Sequence, residues 1–481
     1  MEKIFDVTII GAGINGAFLA RELSRYDINI LLLEKEISCG TGATKAGLSQ
    51  IHSVAFSPAN TLKGQLSIDA AEKYKKVAKE LNLCFREADE FWLAFNDDEI
   101  KVIKDIKERG EKYHTHDLSI ISAKEALEIE PNINPEVKAV LRIKDLGVIY
   151  PPEWCFALIE NSINNGVVYK NLSNVQKIER SLNNAYKIFT DDEIFESRFI
   201  VNVAGLYADE IAHLTKDEDL KLIYKKGTML IFDKAVSGLI NNMIIGTPSP
   251  AFSRGVAPTA HGNIIAGLGF FTVPKDGSDT SLERGKIEEV ISFAKNLIPS
   301  LSVRDVITAF AGIYMTNNKC PNGDYYINYS EKFPEVIHAL IGAPGLTTAP
   351  GVADYIINLL KEAGLKMPEK ENALLKEKRI KKFSYVKKNE IKDFIQQDNK
   401  RACIICRCEK VTEAEILEVV QKGVKTVDEV KHYTRAGMGR CQGGFCTPSV
   451  LKIISKETGC PVSDILKNSK GSEIVKGYSK S

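Results

Sequence analysis

The sequence predicts an α/β protein built on a Rossmann-type domain, with a small helical unit near the C-terminus. Three observations carry this. The chain opens with a strand, a glycine turn and a helix. Two later apolar strands run into helices, one breaking at Gly205 and the other passing through a Gly/Pro loop. Four of the ten cysteines fall in two short segments, "CRC" at Cys406 and "CQGGFC" at Cys441.

The first element is Asp6 to Ile10, "DVTII", a short apolar run without helical period, followed by "GAGINGAFLARELSRY" as turn and helix. Gly11 permits the tight turn, Gly13 lets backbone approach a pyrophosphate, and Gly16 lets the helix pack on the strand, while free N–H groups at the helix start face the phosphates. The next strand, in "INILLLEKE", ends at Glu34, 18 residues after Gly16, near the roughly 20 expected of a carboxylate that binds a ribose hydroxyl. Together these define a dinucleotide site and leave FAD and NAD both open. Ser38 to His52, "SCGTGATKAGLSQIH", is a run of small and hydroxyl residues suited to lie against a flat cofactor. Arg198 to Ala212 is a strand breaking at Gly205 into a helix. Val336 to Leu360 is a strand, a Gly/Pro loop and a helix starting near Pro350 or Gly351, whose positive end could stabilise negative charge.

At 481 residues the chain exceeds one ordinary core, and about two to four domains are expected. A net charge of +1 without a dominant one-sign block argues against nucleic acid as a partner. "MEKIFDVTIIGAG" lacks the features of an export signal, and no apolar run approaches the roughly 20 residues of a membrane span, so a soluble, cytoplasmic protein is expected. In a reducing compartment clustered cysteines read as metal or redox ligands.

With "GVIYPPEWCFALIENSINNGV", "FIVNVAGLYADEIA", "KKGTMLIFDK", "PTAHGN" and "GAPGLTTAP" added to the glycine turn, the chain from about Phe5 to Leu360 resembles the D-amino-acid-oxidase-like FAD superfamily. Within it, the resemblance is closest to the group that joins the large subunit of anaerobic glycerol-3-phosphate dehydrogenase with its L-2-hydroxyglutarate oxidase-like relatives. The resemblance implies FAD, bound through Gly11, Gly13, Gly16, Glu34, Lys35, Thr44, Lys45, Gly47, Leu48, Val175, Ala204, Gly205, Gly345, Leu346 and Thr347. It also implies a mixed-sheet α+β substrate domain from about 85–145 and 215–335, interleaved with an FAD domain from about 1–84, 146–214 and 336–365.

The four cysteines run C-x-C, 32 residues, C-x4-C: Cys406, Cys408, Cys441 and Cys446. Four thiolates suit a [2Fe–2S] cluster or a tetrahedral zinc, and the tight C-x-C favours the cluster. The intervening sequence reads as two short amphipathic helices and a glycine-rich turn. These elements resemble the bacterioferritin-associated-ferredoxin-like [2Fe–2S] domain, whose pattern passes over Cys403. This domain is placed at 401–460, after a charged, solvated linker at 366–400 and before a tail at 461–481. Cys39, Cys84, Cys155, Cys320 and Cys460 read as ordinary thiols.

A flavin accepts two electrons together and a [2Fe–2S] centre passes them singly, so the pairing implies a dehydrogenase that exports electrons through its cluster. Similar proteins work beside redox subunits, so a partner protein is expected, with any membrane association arising through it. Oxidation beside a hydroxyl or amine needs a proton acceptor, and His52 is the first candidate, matching a histidine of the resembling family. His261 reads as a turn residue, and His114 and His116 as surface positions. The family's AG-x-R arginine is absent, Ile313 and Tyr314 following Ala311–Gly312. The usual Asn-Ser pair is Gly47–Leu48, and "GLGFFTVP" from Gly267 is more apolar than the family stretch. Arg254 and Lys226 are the candidate cationic anchors, and Tyr314 a candidate substrate contact. The expected substrate is a small anion: glycerol 3-phosphate-like, a 2-hydroxy acid or an amino acid. The competing readings are a flavoprotein with structural zinc and a non-catalytic protein of electron transfer or assembly.

Overall fold

The structure, a computed structural model, describes residues 4–477 apart from 54–56, 59, 113–116, 182–184, 248–254, 274–278, 378 and 380. The chain divides into two compact units, Met1–Glu377 and Lys378–Ser481. Among the described residues no helix is long and apolar enough to cross a membrane.

The first sheet of the larger unit grows from the opening strand Ile4–Ile10, which pairs in parallel with Ile30–Leu33 on one side and Ile194–Asn202 on the other. Val168–Lys170 extends one edge and Val336–Leu340 the other, both in parallel. Continuous apolar strands of this kind need cover on both faces. Helices Ile14–Leu23, Pro151–Asn164 and Gly345–Glu362, the last beginning at Gly345 rather than near Pro350 or Gly351, pack on this sheet around the first of them. There Phe18 and Trp154 meet Tyr74 of the helix Ala70–Leu81, Phe18 and Tyr74 edge to face at 5.2 Å. The strand Tyr326–Tyr329 joins this sheet rather than the second one, pairing antiparallel with Val336–Leu340.

The second sheet has eight strands in the order 306–317, 222–232, 264–272, 255–258, 243–246, 90–94, 139–143 and 118–122, mostly antiparallel with one parallel pair. On the strand Leu222–Phe232 the pleat alternates. Leu230 and Phe232 pack with Val290, Ala294 and Leu297 of the helix Arg284–Leu297, which leaves Lys225, Gly227 and Met229 on the other face.

A buried polar knot joins the end of the first sheet to the following loop. His338 contacts Asn202 at 3.0 Å and Asp217 at 3.1 Å, and the Asp217 carboxylate also accepts from Thr215, Ser330 and the Glu331 amide. Burial pushes the Asp217 carboxyl up, but the hydrogen bonds from His338, Ser330 and Thr215 outweigh it and hold the group down at about 2. A carboxyl depressed from an unfolded value of about 4 contributes stability above that pH and loses it as pH falls toward 2. Asp217→Asn should therefore destabilise the neutral protein by about 1–3 kcal/mol. It should also flatten the loss of stability between about pH 4 and 2 in acid denaturation followed by circular dichroism.

The segment expected as a linker divides. Its first part is held by the larger unit: Leu374 donates its amide to Asn165 Oδ1 at 2.8 Å and accepts from Asn161 Nδ2 at 2.9 Å, and the Asp27 amide bonds Pro368. The later part folds with the smaller unit, where Phe394 is buried. Backbone and amide pairing, invisible in a lysine-rich composition, decides this. The smaller unit has helices Glu413–Gln421, Val427–Thr434 and Thr447–Thr458, the first two closed by capping boxes at Thr412/Glu415 and Thr426/Glu429. The stretch expected as a tail also belongs to it: Ile465 is buried in its core, and Leu466 and Lys467 accept amides from Val427 and Asp428.

Candidate active site and cluster-binding loops

The glycine turn is shaped by close approach. Gly11 has φ of +110°, and a Cβ there would lie 2.6 Å from the Val203 carbonyl oxygen; one on Gly16 would lie 1.9 Å from the Gly11 oxygen. The turn at Val203–Gly205 thus presses on the first turn, bringing Ala204 and Gly205 to it. Glu34 accepts the Ala12 amide at 2.9 Å and the Glu36 amide at 3.0 Å; burial pushes its carboxyl up against these bonds. Thr44 accepts the Ile14 amide at 3.1 Å, and Gly13 lies beside the same hydroxyl. Lys35 sits over the Tyr207 ring at 3.2 Å, Lys45 ends a short helical turn, and Val175 lies in the core beside Leu31 and Leu33.

Among the described residues, Asn15 Oδ1, Ser38 Oγ and Gln50 Nε2 are buried without hydrogen-bond partners. Orphaned buried polar atoms are costly, and three of them following the glycine turn toward the strand at Gln50–Ile51 fit a site built to receive the polar groups of a dinucleotide.

Beyond that strand, His52 Nδ1 lies 2.8 Å from Glu90 Oε1. Glu90 is fully buried, and its other oxygen accepts from Ser53 at 3.2 Å and the Trp92 indole at 3.1 Å. An acceptor-only carboxylate on Nδ1 makes that nitrogen the proton carrier and puts the imidazole lone pair on Nε2. The His52 amide donates to Thr347 Oγ1 at 3.0 Å, which ties the histidine to the first turn of Gly345–Glu362. Leu346 accepts from the Tyr74 hydroxyl, and Gly345 lies beside Asn15. Glu90 is the site residue missed by sequence reading. Its signal was slight, an acid directly after Asp89 at the head of the apolar run "FWLAF".

The loop carrying Gly47 and Leu48 meets the second sheet. A Cβ on Gly312 would lie 2.0 Å from the Ala46 carbonyl oxygen, and one on Gly267 would lie 2.8 Å from Leu48. Tyr314, two residues past Gly312, shares this face; burial pushes its hydroxyl up to about 12. Lys226 does not share it. It is buried on the opposite face, where its ammonium is bonded to Asp279 and Ser281, each at 3.1 Å. His261 lies against Tyr150 and Glu153. Arg254, His114 and His116 lie outside the described residues.

In the smaller unit the four cysteines converge. The Cys408 and Cys441 sulfurs are 4.0 Å apart, and Cys446 donates to Cys406, which holds the Cys406 thiol below its ordinary value against burial. Backbone amides of Gly437 and Glu409 point at Cys406, and those of Phe445 and Gly443 at Cys441. Two pairs of thiols, with amide donors aimed at Cys406 and Cys441, are of the kind that suits a [2Fe–2S] centre. A Cβ on Gly439 would lie 2.1 Å from that of Cys408, so glycine lets the two loops close. Arg435 pairs with buried Glu409 at 2.8 Å and fixes the C-x-C loop. The Cys403 thiol is pushed up by desolvation and by Glu413, and stands apart from the set of four.

Comparison with known proteins agrees with both halves. Residues 6–359 match the family described as FAD dependent oxidoreductase, and residues 404–456 the BFD-like [2Fe-2S] binding domain. A glycerol 3-phosphate dehydrogenase of Caloramator mitchellensis is 35% identical over 99% of this chain and 99% of its own length. A subunit of the anaerobic glycerol-3-phosphate dehydrogenase of Escherichia coli K12 is 21% identical over 94% of this chain and 88% of its own. The FAD-bound L-alpha-glycerophosphate oxidase of Mycoplasma pneumoniae superposes with a TM-score of 0.73 at 25% identity, covering 78% of this chain and 98% of that one. The chain belongs to the FAD dependent oxidoreductase family: it is an FAD-dependent oxidoreductase that also carries a [2Fe–2S]-binding domain.

Proposed function

We propose that the chain oxidises glycerol 3-phosphate at FAD and passes the electrons singly through its [2Fe–2S] cluster to a partner protein. The observation that carries this reading is the buried His52–Glu90 pair, 2.8 Å apart beside the Gly47–Leu48 loop, in a chain alike end to end with a glycerol 3-phosphate dehydrogenase. When bound, FAD supplies a two-electron acceptor and the cluster a one-electron path. The protein supplies the rest. His52 Nε2 takes the proton of the C2 hydroxyl, and Glu90 fixes the tautomer and stabilises the charge that forms on the ring. Ser53 and Trp92 hold Glu90, Thr347 holds the His52 backbone, and buried Leu48 and Met229 keep water out.

The exit lies on the smaller unit. Phe445, between the second pair of cysteines, is 87% exposed, with exposed Arg407 and Lys410 at the first pair. Residues 378–481 hold 22 Lys and Arg against 12 Asp and Glu, a basic unit concealed by the near-zero charge of the whole chain, and suited to an acidic electron carrier.

The test is an anaerobic visible spectrum of the purified holoprotein with glycerol 3-phosphate, alongside L-2-hydroxyglutarate and proline. Bleaching of the flavin by glycerol 3-phosphate, then of the cluster, is expected. Cys408→Ser should retain flavin bleaching while losing cluster absorbance and reduction of a one-electron acceptor. Bleaching by proline or L-2-hydroxyglutarate alone would reassign the substrate.

A further inference from the structure

The face of the second sheet that meets the Gly47–Leu48 loop carries a cation that, among the described residues, has no carboxylate against it. Lys225 and Tyr314 are cross-strand partners, as are Gly227 and Gly312, so all four share the face on which Gly312 touches Ala46. The Lys225 ammonium lies 6.0 Å from the centre of the Tyr314 ring. Lys63 is buried nearby: its ammonium donates to the Gly323 carbonyl at 2.9 Å, and burial, together with the charge of Lys225, depresses its pKa. Asp324 offsets this only in part, because its oxygens accept the amides of Leu62 and Lys63 at 2.8 and 3.0 Å. Among the described residues Lys225 forms no ion pair, whereas Lys226, one residue on and on the opposite face, has Asp279.

We propose that Lys225, Lys63 and the Tyr314 hydroxyl form an anion subsite that receives the phosphate of a phosphomonoester substrate. The proposal rests on the glycerol 3-phosphate reading and names how that substrate is selected. The charge of Lys225 weighs on the buried Lys63 ammonium, and a dianion bound between the two would offset that repulsion. A carboxylate brings half the charge. The Tyr314 hydroxyl, kept protonated by burial, completes the set as a donor. Gly312 is two residues from Tyr314, about 7 Å along the strand, so the subsite sits one small molecule away from the loop that leads to His52.

The experiment compares wild-type holoprotein with Lys225→Met, Lys225→Arg and Tyr314→Phe in two measurements: anaerobic flavin bleaching against glycerol 3-phosphate concentration, and calorimetric titration with inorganic phosphate. Lys225→Met should raise the half-saturating glycerol 3-phosphate concentration roughly 10- to 100-fold, leave the limiting bleaching rate within about threefold, and weaken phosphate binding in parallel. Lys225→Arg should recover part of both, and Tyr314→Phe should cost about tenfold in each. Half-saturation and phosphate affinity within about twofold of wild type in both Lys225→Met and Tyr314→Phe would overturn the subsite; Tyr314→Phe decides alone if Lys225→Met does not fold. Phosphate binding that is lost in Lys225→Met, in a protein whose flavin glycerol 3-phosphate never bleaches, would support the subsite and overturn the substrate. Bleaching of every variant with wild-type half-saturation would do the reverse.

Discussion

His52→Gln should slow anaerobic flavin reduction by glycerol 3-phosphate by about 10²- to 10⁴-fold, the usual weight of a positioned general base. Glutamine is chosen because its amide can still donate to Glu90 Oε1 but cannot take up a proton, so a buried carboxylate is not left short of a donor. Flavin content and melting temperature should therefore match wild type, while the limiting rate falls and half-saturation changes little. Glu90→Gln separates positioning from fold. The ring then loses its acceptor-only partner, and the rate should fall by a smaller factor with an altered pH profile. Equal rates for His52→Gln and wild type would remove His52 from the chemistry.

The second large effect is expected at Gly16. A Cβ there would lie 1.9 Å from the Gly11 carbonyl oxygen and 3.3 Å from a Val203 methyl, and both neighbours are held by the sheet. Gly16→Ala must therefore push the helix Ile14–Leu23 off the opening strand, costing about 1–3 kcal/mol and displacing the amides that would face the pyrophosphate. The purified variant should carry little flavin per polypeptide and melt several degrees lower. Gly285→Ala, on the helix Arg284–Leu297 that packs on the second sheet, is the matched control: nothing lies within 4 Å of its Cβ, and its flavin content should be unchanged.

What could be read in the sequence was whatever a local pattern encodes. Gly11, Gly13, Gly16 and Glu34 are spaced by one strand–turn–helix unit, and the four clustered cysteines by two loops. What could not be read depends on pairing between distant segments. Lys226 and Lys225 look equivalent in "KKGTM", yet the pleat sends one to Asp279 and the other to the face of Tyr314, and a one-residue difference in register decides which. Glu90 is 38 residues from His52, and nothing local announces that the two meet. The segment after Leu365 reads as solvated by composition, while its backbone is bound to Asn161 and Asn165 by amide side chains more than 200 residues earlier.

The contact between Gly312 and the Ala46 carbonyl bears on how such a site can change its preference. With backbone against backbone at that point, the loop beside His52 cannot rise or sink without unseating the strand Val306–Asn317, so the spacing between the two walls is set by main chain rather than by side chains. Substrate preference on this scaffold can then be altered by exchanging side chains around a fixed gap, at positions such as 48, 225 and 314, whereas an insertion in either wall would disturb the contact that sets the gap.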